Sequence, residues 1–302
     1  MRYNFRNIDF VRKSKGFFIA SIVTTVIGIV SLLIFGLNYG IDFKSGSSVD
    51  VAVTKSYDAS EVRTFLDAEE LGGYTLTTGD NRLSIRFEAV LDEAQQQKLQ
   101  SDFRSKFDEN ASFEINIVDV EIAKEQERNA LIGILVASIG ILLYITIRFE
   151  WRFAVSAVVA LVYDAFFVIT LFSVFRLEVN LPFILAVLTV IGYSINDTVV
   201  IFDRIRENLR FAKIKSHEDL IQLVNTSVSQ TLTRSINTVL TVAFAAICLF
   251  AFGSESIKMF SLAMIFGLIS GAYSSIFIAS PLWYLLRRNA KQRKPAKVQN
   301  AP

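Results

Sequence analysis

The chain has 302 residues, 52% of them hydrophobic, and a mean hydropathy of +0.42, more apolar surface than one soluble core of this length hides. The net charge of +2 is uninformative, but the charged residues, 20% of the chain, fall in blocks between long apolar runs, as exclusion from hydrocarbon requires. A lone cysteine, Cys248, excludes an internal disulfide, and a lone histidine, His217 in a charged stretch, argues against a histidine-based metal site or a serine triad.

Residues 1–16 form a basic N-terminus, and the apolar run Phe17 to Leu37 after it reads as an uncleaved span. It is longer than a signal-peptide core and lacks a small-x-small cleavage site. Residues 38–129 show the periods of a folded domain. Ser48 to Thr54 alternates as a strand, and Ser60 to Glu70 is helical with Ser60 as its cap. Tyr74 to Thr78 and Arg82 to Phe87 flank a Gly79-Asp80-Asn81 turn, Leu91 to Phe107 is an amphipathic helix, and Ser112 to Val120 alternates again. The order β-α-β-β-α-β predicts a ferredoxin-like sandwich, in which Tyr57, Phe87 and Phe113 are core aromatics. The charged stretch Glu121 to Arg128 continues helically into the next span.

Residues 130–286 hold five more apolar segments: Ala130 to Ile147, Phe153 to Phe175, Leu181 to Phe202, Thr231 to Phe252, and Met259 to Leu286. Each approaches or exceeds the roughly 20 residues that cross a bilayer core; the last is long enough to tilt or to run past the interface. A basic tail, 287–302, follows. The expected fold is an α-helical integral membrane protein with six transmembrane helices and an α+β, ferredoxin-like extracytoplasmic domain between the first and second.

Orientation follows from the excess of lysine and arginine in short loops kept inside. Arg2, Arg6, Arg12, Lys13 and Lys15 lie at the N-terminus, and Arg148 and Arg152 between spans two and three. Arg204, Arg206, Arg210, Lys213 and Lys215 lie between four and five, and Arg287, Arg288, Lys291, Arg293, Lys294 and Lys297 in the tail. The other side holds Arg176 and Lys258 in its short loops. Both termini are therefore expected to be cytoplasmic, with residues 38–129 outside.

An ionisable side chain inside a span costs at least about 2.5 kcal/mol on insertion scales, so it normally faces protein or water and has a role. Asp164 sits mid-span in the third segment. Asp197 sits in the fourth, within a polar cluster of Tyr193, Ser194, Asn196 and Thr198, and Tyr193 and Ser194 share its helix face. Arg234 opens the fifth segment among Thr233, Ser235, Asn237 and Thr238, at a depth that would let it meet Asp197. Either a static ion pair or a protonatable aspartate with a removable partner fits this pattern. The run Asp203 to Asn208 reads as an interfacial anchor. No phosphate loop, zinc-ligand spacing or nucleophile motif is present in the sequence. No enzymatic activity, cofactor, metal or nucleic-acid partner is therefore expected, and the proton gradient is the expected energy source.

Three stretches carry a resemblance: Gly40-Ile41-Asp42-Phe43-Lys44-Ser45-Gly46, the run GYSINDTVVIFDRIREN from Gly192 to Asn208, and QTLTRSINTVLT from Gln230 to Thr241. Together with the six-span layout they resemble the SecD/SecF protein-export family of the resistance-nodulation-division superfamily, over essentially the whole chain. The first motif has Ser45 where the family pattern carries a second glycine. The resemblance implies residence in the cytoplasmic (inner) membrane, pairing with SecD into a twelve-span unit, and association with the SecYEG channel and YajC. It also implies use of the proton motive force to complete export of an unfolded polypeptide started by SecA. Carried over by motif, Asp197 falls on the family's proton-relay aspartate, Arg234 on its arginine partner, and Asp164 on a recurrent aspartate of the third span. Two other readings stay open: a proton-coupled exporter of small molecules or lipids, and a non-transducing scaffold.

Overall fold

The computed structural model describes residues 9–40, 42–43, 46–55, 57–79, 81–118 and 120–292. Arg2, Arg6, Ile41, Lys44, Ser45, Asp80, Arg293, Lys294 and Lys297, invoked above, lie outside the described residues. In chain order the elements are α1 (Phe10–Phe35), β1 (Asn38–Tyr39), β2 (Gly46–Ala52), α2 (Ala59–Ala68), β3 (Tyr74–Thr78), β4 (Arg82–Phe87), α3 (Glu93–Lys106) and β5 (Ser112–Val118). They continue with α4 (Val120–Arg148), α5 (Trp151–Val174), β6 (Glu178–Val179), α6 (Leu181–Phe211), α7 (His217–Phe252), α8 (Glu255–Ser274), a π-helical turn (Ser275–Ala279) and α9 (Ser280–Gln292). Six helical segments, the last running through α8, the π turn and α9, are long and apolar enough to cross a membrane. The protein is a multi-pass membrane protein.

Several helices start earlier than the apolar runs, because caps rather than hydropathy set their ends. α1 begins at Phe10 because Asp9 accepts the amide of Arg12 at 3.0 Å and Asn225 Oδ1 accepts those of Phe10 and Val11 at 3.0 and 3.1 Å. α7 begins at His217, far ahead of Thr231, on a capping box between Ser216 and Asp219. α4 runs unbroken from the α/β unit into its span, as the charged stretch suggested. At α2 the cap is Asp58, which accepts the amide of Ser60 at 3.1 Å; Ser60, expected as the cap, lies inside the helix. The carboxylate acceptor lies two residues ahead of it.

The four-stranded sheet has the order β3-β4-β2-β5, all antiparallel. Val49, Val51, Leu83, Ile85 and Phe87 point to one face, covered by Val62, Phe65 and Leu66 of α2 and Leu99 and Phe103 of α3. Phe113 packs against this core, and Tyr57 also does while donating its hydroxyl to the Phe107 carbonyl at 2.6 Å. The opposite face, with period two, carries Asp50, Arg82, Ser84, Arg86 and Thr77, and lies over the end of the helical bundle.

Three contacts join this face and its leading segment to the bundle. Arg82 donates to the carbonyls of Gly253 and Phe252 between α7 and α8. Arg86 Nη1 meets Glu178 Oε1 at 2.5 Å between α5 and α6. β1 pairs in parallel with β6, Asn38 with Glu178 and Tyr39 with Val179. Just beyond, Asp42 Oδ2 accepts the amide of Leu181 at 2.7 Å and Asn180 Oδ1 that of Phe183 at 2.9 Å. The N-terminus of α6 is thereby capped from two chain segments.

Within the bundle, α8 packs on α5, α6 and α7, and α1 on α5. One apolar core, with Val187, Val190, Phe172 and Phe183, lies toward the α/β unit. Another, with Phe153, Phe202, Leu220, Val224 and Trp283, lies at the far end. The polar site sits between them.

Candidate intramembrane carboxylate site

Close approach of α8 to α6 builds the site. Gly267 and Gly271 are one turn apart on α8. A methyl group on Gly267 would stand 2.1 Å from Val190 Cγ2, and one on Gly271 would stand 3.3 Å from Ser194 Cβ. Small residues at this spacing let helix backbones meet in a membrane. The approach carries Ser270 and Ser274, on the same helix, to the side of α5 where Asp164 projects.

Asp164 is completely buried. Ser270 Oγ donates to its Oδ1 at 2.5 Å, and Ser194 and Ser274 donate to Oδ2 at 2.5 and 2.6 Å. Among the described residues no cation pairs with it. Hydroxyls both donate and accept and can rotate, so this shell satisfies an ionised carboxylate and also a protonated one without exposing either to lipid. Ser270 and Ser274 escaped the sequence reading; their signal was two serines one turn apart beside Gly267 and Gly271 in an otherwise apolar span. Next to this shell, Thr198 Oγ1 meets Ser275 Oγ at 2.9 Å at the start of the π turn.

Asp197, 8% exposed, lies three residues beyond Ser194 on α6, and its Oδ2 is buried with no hydrogen-bond partner. The Ser235 hydroxyl on α7 is also buried and lies beside Asp197. A narrow cleft of about 10 Å³, room for about one water, is lined by Tyr193, Ser194, Asp197, Thr238, Gly267 and Gly271 among others. Ser194 therefore belongs to both neighbourhoods: it bonds Asp164 and lines the Asp197 cleft.

Two expectations need correction. Asp197 and Arg234 do not form an ion pair among the described residues; Arg234 is exposed on α7. Equal sequence depth put them at one level, but the turn of α7 directs Ser235, not Arg234, into the interface. Asn196 was expected to support Asp197, yet it is exposed and takes no part in the cleft. Adjacent helical residues point about 100° apart, whereas Tyr193 and Ser194, four and three positions before Asp197, share its side.

The family profile "Protein export membrane protein SecD/SecF, C-terminal" matches residues 98–289, and the "SecD/SecF GG Motif" matches residues 30–56. The latter includes Gly46, whose φ of 152° favours glycine. The chain is 42% identical to the protein translocase subunit SecF of Alicyclobacillus acidocaldarius, over 97% of each chain. It is 43% identical to the protein translocase subunit SecDF of Bacillus subtilis, over 92% of this chain but 38% of that one. The crystal structure of SecDF from Thermus thermophilus, titled a translocon-associated membrane protein, superposes with a TM-score of 0.82 at 29% identity. That match covers 93% of this chain and 39% of the other. This chain thus spans well under half of the SecDF proteins and nearly all of the SecF relative.

Proposed function

We propose that this chain, which belongs to the SecD/SecF family of protein-export membrane proteins, is a proton-driven accessory subunit of the Sec translocase that completes export of unfolded polypeptides after SecA and SecYEG have begun it. Its ferredoxin-like α/β unit works on the outer side of the cytoplasmic membrane, and both termini are cytoplasmic. The observation that carries this reading is Asp197, a buried carboxylate in a span that lines a cleft and has one oxygen making no hydrogen bond. A buried polar atom left so costs about 1–3 kcal/mol or more; a proton, or a donor entering by the cleft, removes that cost. The protein does no bond-making chemistry in this scheme.

A SecD-type partner supplies the other half of the path. The matched fraction of the SecDF chains supports this, as do the exposed polar residues Tyr193, Asn196, Arg234 and Asn237 on α6 and α7. Hydrocarbon is a poor solvent for such a stripe. YajC is a further partner in this scheme.

Ser194 links the two carboxylates. When the Asp197 side of α6 changes its hydrogen bonding, Ser194 either keeps or releases Asp164 Oδ2, so the two sites respond together. The same helix begins at Leu181, whose amide is held by Asp42 of the segment leading to the α/β unit. A shift of α6 is passed to that unit through Asp42, through the β1–β6 pairing and through Arg86–Glu178.

The test uses membrane vesicles holding this protein, its SecD partner and a precursor stalled after SecA-driven initiation. Under an imposed proton gradient and without added ATP, the wild type should finish export and Asp197→Asn should not. Equal completion by both would overturn the proton-relay reading. An exporter of small molecules or lipids would instead leave secretory precursors unaffected when Asp197 is changed.

A further inference from the structure

At the bundle end opposite the α/β unit, a cavity of about 360 Å³ opens between the start of α1, the start of α7 and α9. Its polar lining includes the cations Arg12, Lys15 and Arg288, and its apolar wall is made by Phe18, Ile221 and Leu285. Arg12 is already neutralised, with both Glu218 oxygens at 2.7 Å. Lys15 has no ion pair among the described residues, and Arg288 has none either. Arg288 Nε is moreover buried without a hydrogen-bond partner. A guanidinium N–H out of water and without an acceptor is unusual enough to need one.

We propose that this cavity is a binding site for an anionic phospholipid, with the phosphate between Lys15 and Arg288. The shape of the surroundings separates a lipid from a free anion. Lys15, Ile19 and Ile22 fall on one stripe of α1 at helical spacing, and Ile19 and Ile22 are 63% and 62% exposed. An acyl chain leaving the cavity past Phe18 follows that stripe into the bilayer, whereas a free phosphate has no use for it. Basic pockets between transmembrane helices take anionic headgroups on this principle. The lipid would also cover the joint between α1, α7 and α9, where Phe10, Val11, Leu220, Ile221 and Tyr284 pack together. This site is independent of the carboxylates and does not rest on the proton-relay reading.

The test is a lipid titration of the full chain, purified and delipidated in neutral detergent and read by native mass spectrometry. The probes are dioleoylphosphatidylglycerol, dioleoylphosphatidylcholine and inorganic phosphate. Each headgroup cation near a membrane surface is worth roughly five-fold in affinity. Lys15→Gln should therefore weaken phosphatidylglycerol binding about five-fold, and Lys15→Gln with Arg288→Gln about thirty-fold. Lys13→Gln, an exposed cation on the same helix outside the cavity, should change it less than about two-fold. Should the double variant fail to fold, the exposed Lys15 change alone still decides the matter. Equal phosphatidylglycerol binding by wild type and Lys15→Gln overturns the proposal. So does binding of phosphatidylcholine as tightly as phosphatidylglycerol, or saturation of the site by inorganic phosphate alone.

Discussion

Substituting Gly267 by alanine tests how the carboxylate site is built. The added methyl would stand 2.1 and 2.4 Å from the two γ-carbons of Val190 and 2.8 Å from its Cβ. Rotating Val190 does not cure this, because its Cβ is itself too near. Restoring the ~3.5 Å at which carbon atoms first attract needs α8 to withdraw from α6 by about 1.4 Å. Overpacking of this kind costs roughly 1–3 kcal/mol. The same withdrawal stretches either the Ser194 bond or the Ser270 and Ser274 bonds to Asp164, which begin at 2.5–2.6 Å, at roughly 1.5–3 kcal/mol for each one lost. Thermal unfolding of the purified full chain in detergent measures the sum, with Gly133→Ala, a site with nothing within 4 Å, as a control expected within ~0.5 kcal/mol. Val190→Ala removes the two nearest carbons, so the double variant should recover at least about 1 kcal/mol. Equal stability of Gly267→Ala and Gly133→Ala would refute the close approach. Destabilisation that Val190→Ala fails to relieve would refute its stated cause.

Asp164→Leu removes the acceptor shared by three serines and should abolish gradient-driven export, while Asp164→Asn, which the rotatable hydroxyls can accommodate, should keep the protein folded; vesicle export and size-exclusion profiles read both. Exchanging the charges, Asp197→Arg with Arg234→Asp, should not restore export, since the two side chains are not in contact; full restoration would favour a static pair. Arg82→Ala with Arg86→Ala should speed hydrogen exchange in β3 and β4 by loosening the α/β unit from the bundle, and Arg86→Glu with Glu178→Arg should slow it again; unchanged exchange would sink this docking. Asp108 accepts the hydroxyl of Thr54 at 2.6 Å, its amide at 2.7 Å and that of Asn110 at 2.9 Å, which together hold its carboxyl below the usual range. A depressed folded value contributes stability that is complete above the unfolded value of about 3.9 and is lost as pH falls through the folded one. Asp108→Asn should therefore flatten the acid limb of a thermal-stability profile recorded below about pH 5; an unaltered limb would contradict it.

β3 and β4 were readable to the residue because strict alternation between a packed and a polar face allows only one register. Span starts were not. Phe17 and Thr231 mark where hydrocarbon composition begins, while α1 and α7 begin where Asp9, Asn225 and Ser216 supply donors and acceptors, and the first turns of these helices pack together through Phe10, Val11, Leu220, Leu223 and Val224. Asp164 and Asp197 were legible from the cost of charge in hydrocarbon alone. Ser270 and Ser274 were not, because a serine in a span can satisfy itself on its own helix, and only the α8–α5 contact shows that these two turn to Asp164. The azimuth of Arg234 was hidden for a related reason: depth follows from counting residues, but direction depends on which face of α7 is packed.

α6 is one uninterrupted helix of 31 residues, about 46 Å long. Its first turn is tied to the β1 segment, and Asp197 lies about 25 Å along it. Treated as a rigid lever pivoting at Asn180, α6 turns a 10° rotation into about 4 Å of travel at Asp197, more than the length of any hydrogen bond there. The gearing also runs in reverse: sub-ångström repositioning of Asp197 or Ser194 gives at most about 2° at the pivot. Large excursions of the α/β unit therefore cannot be produced by α6 tilting alone, and must add release at the Arg82 and Arg86 contacts.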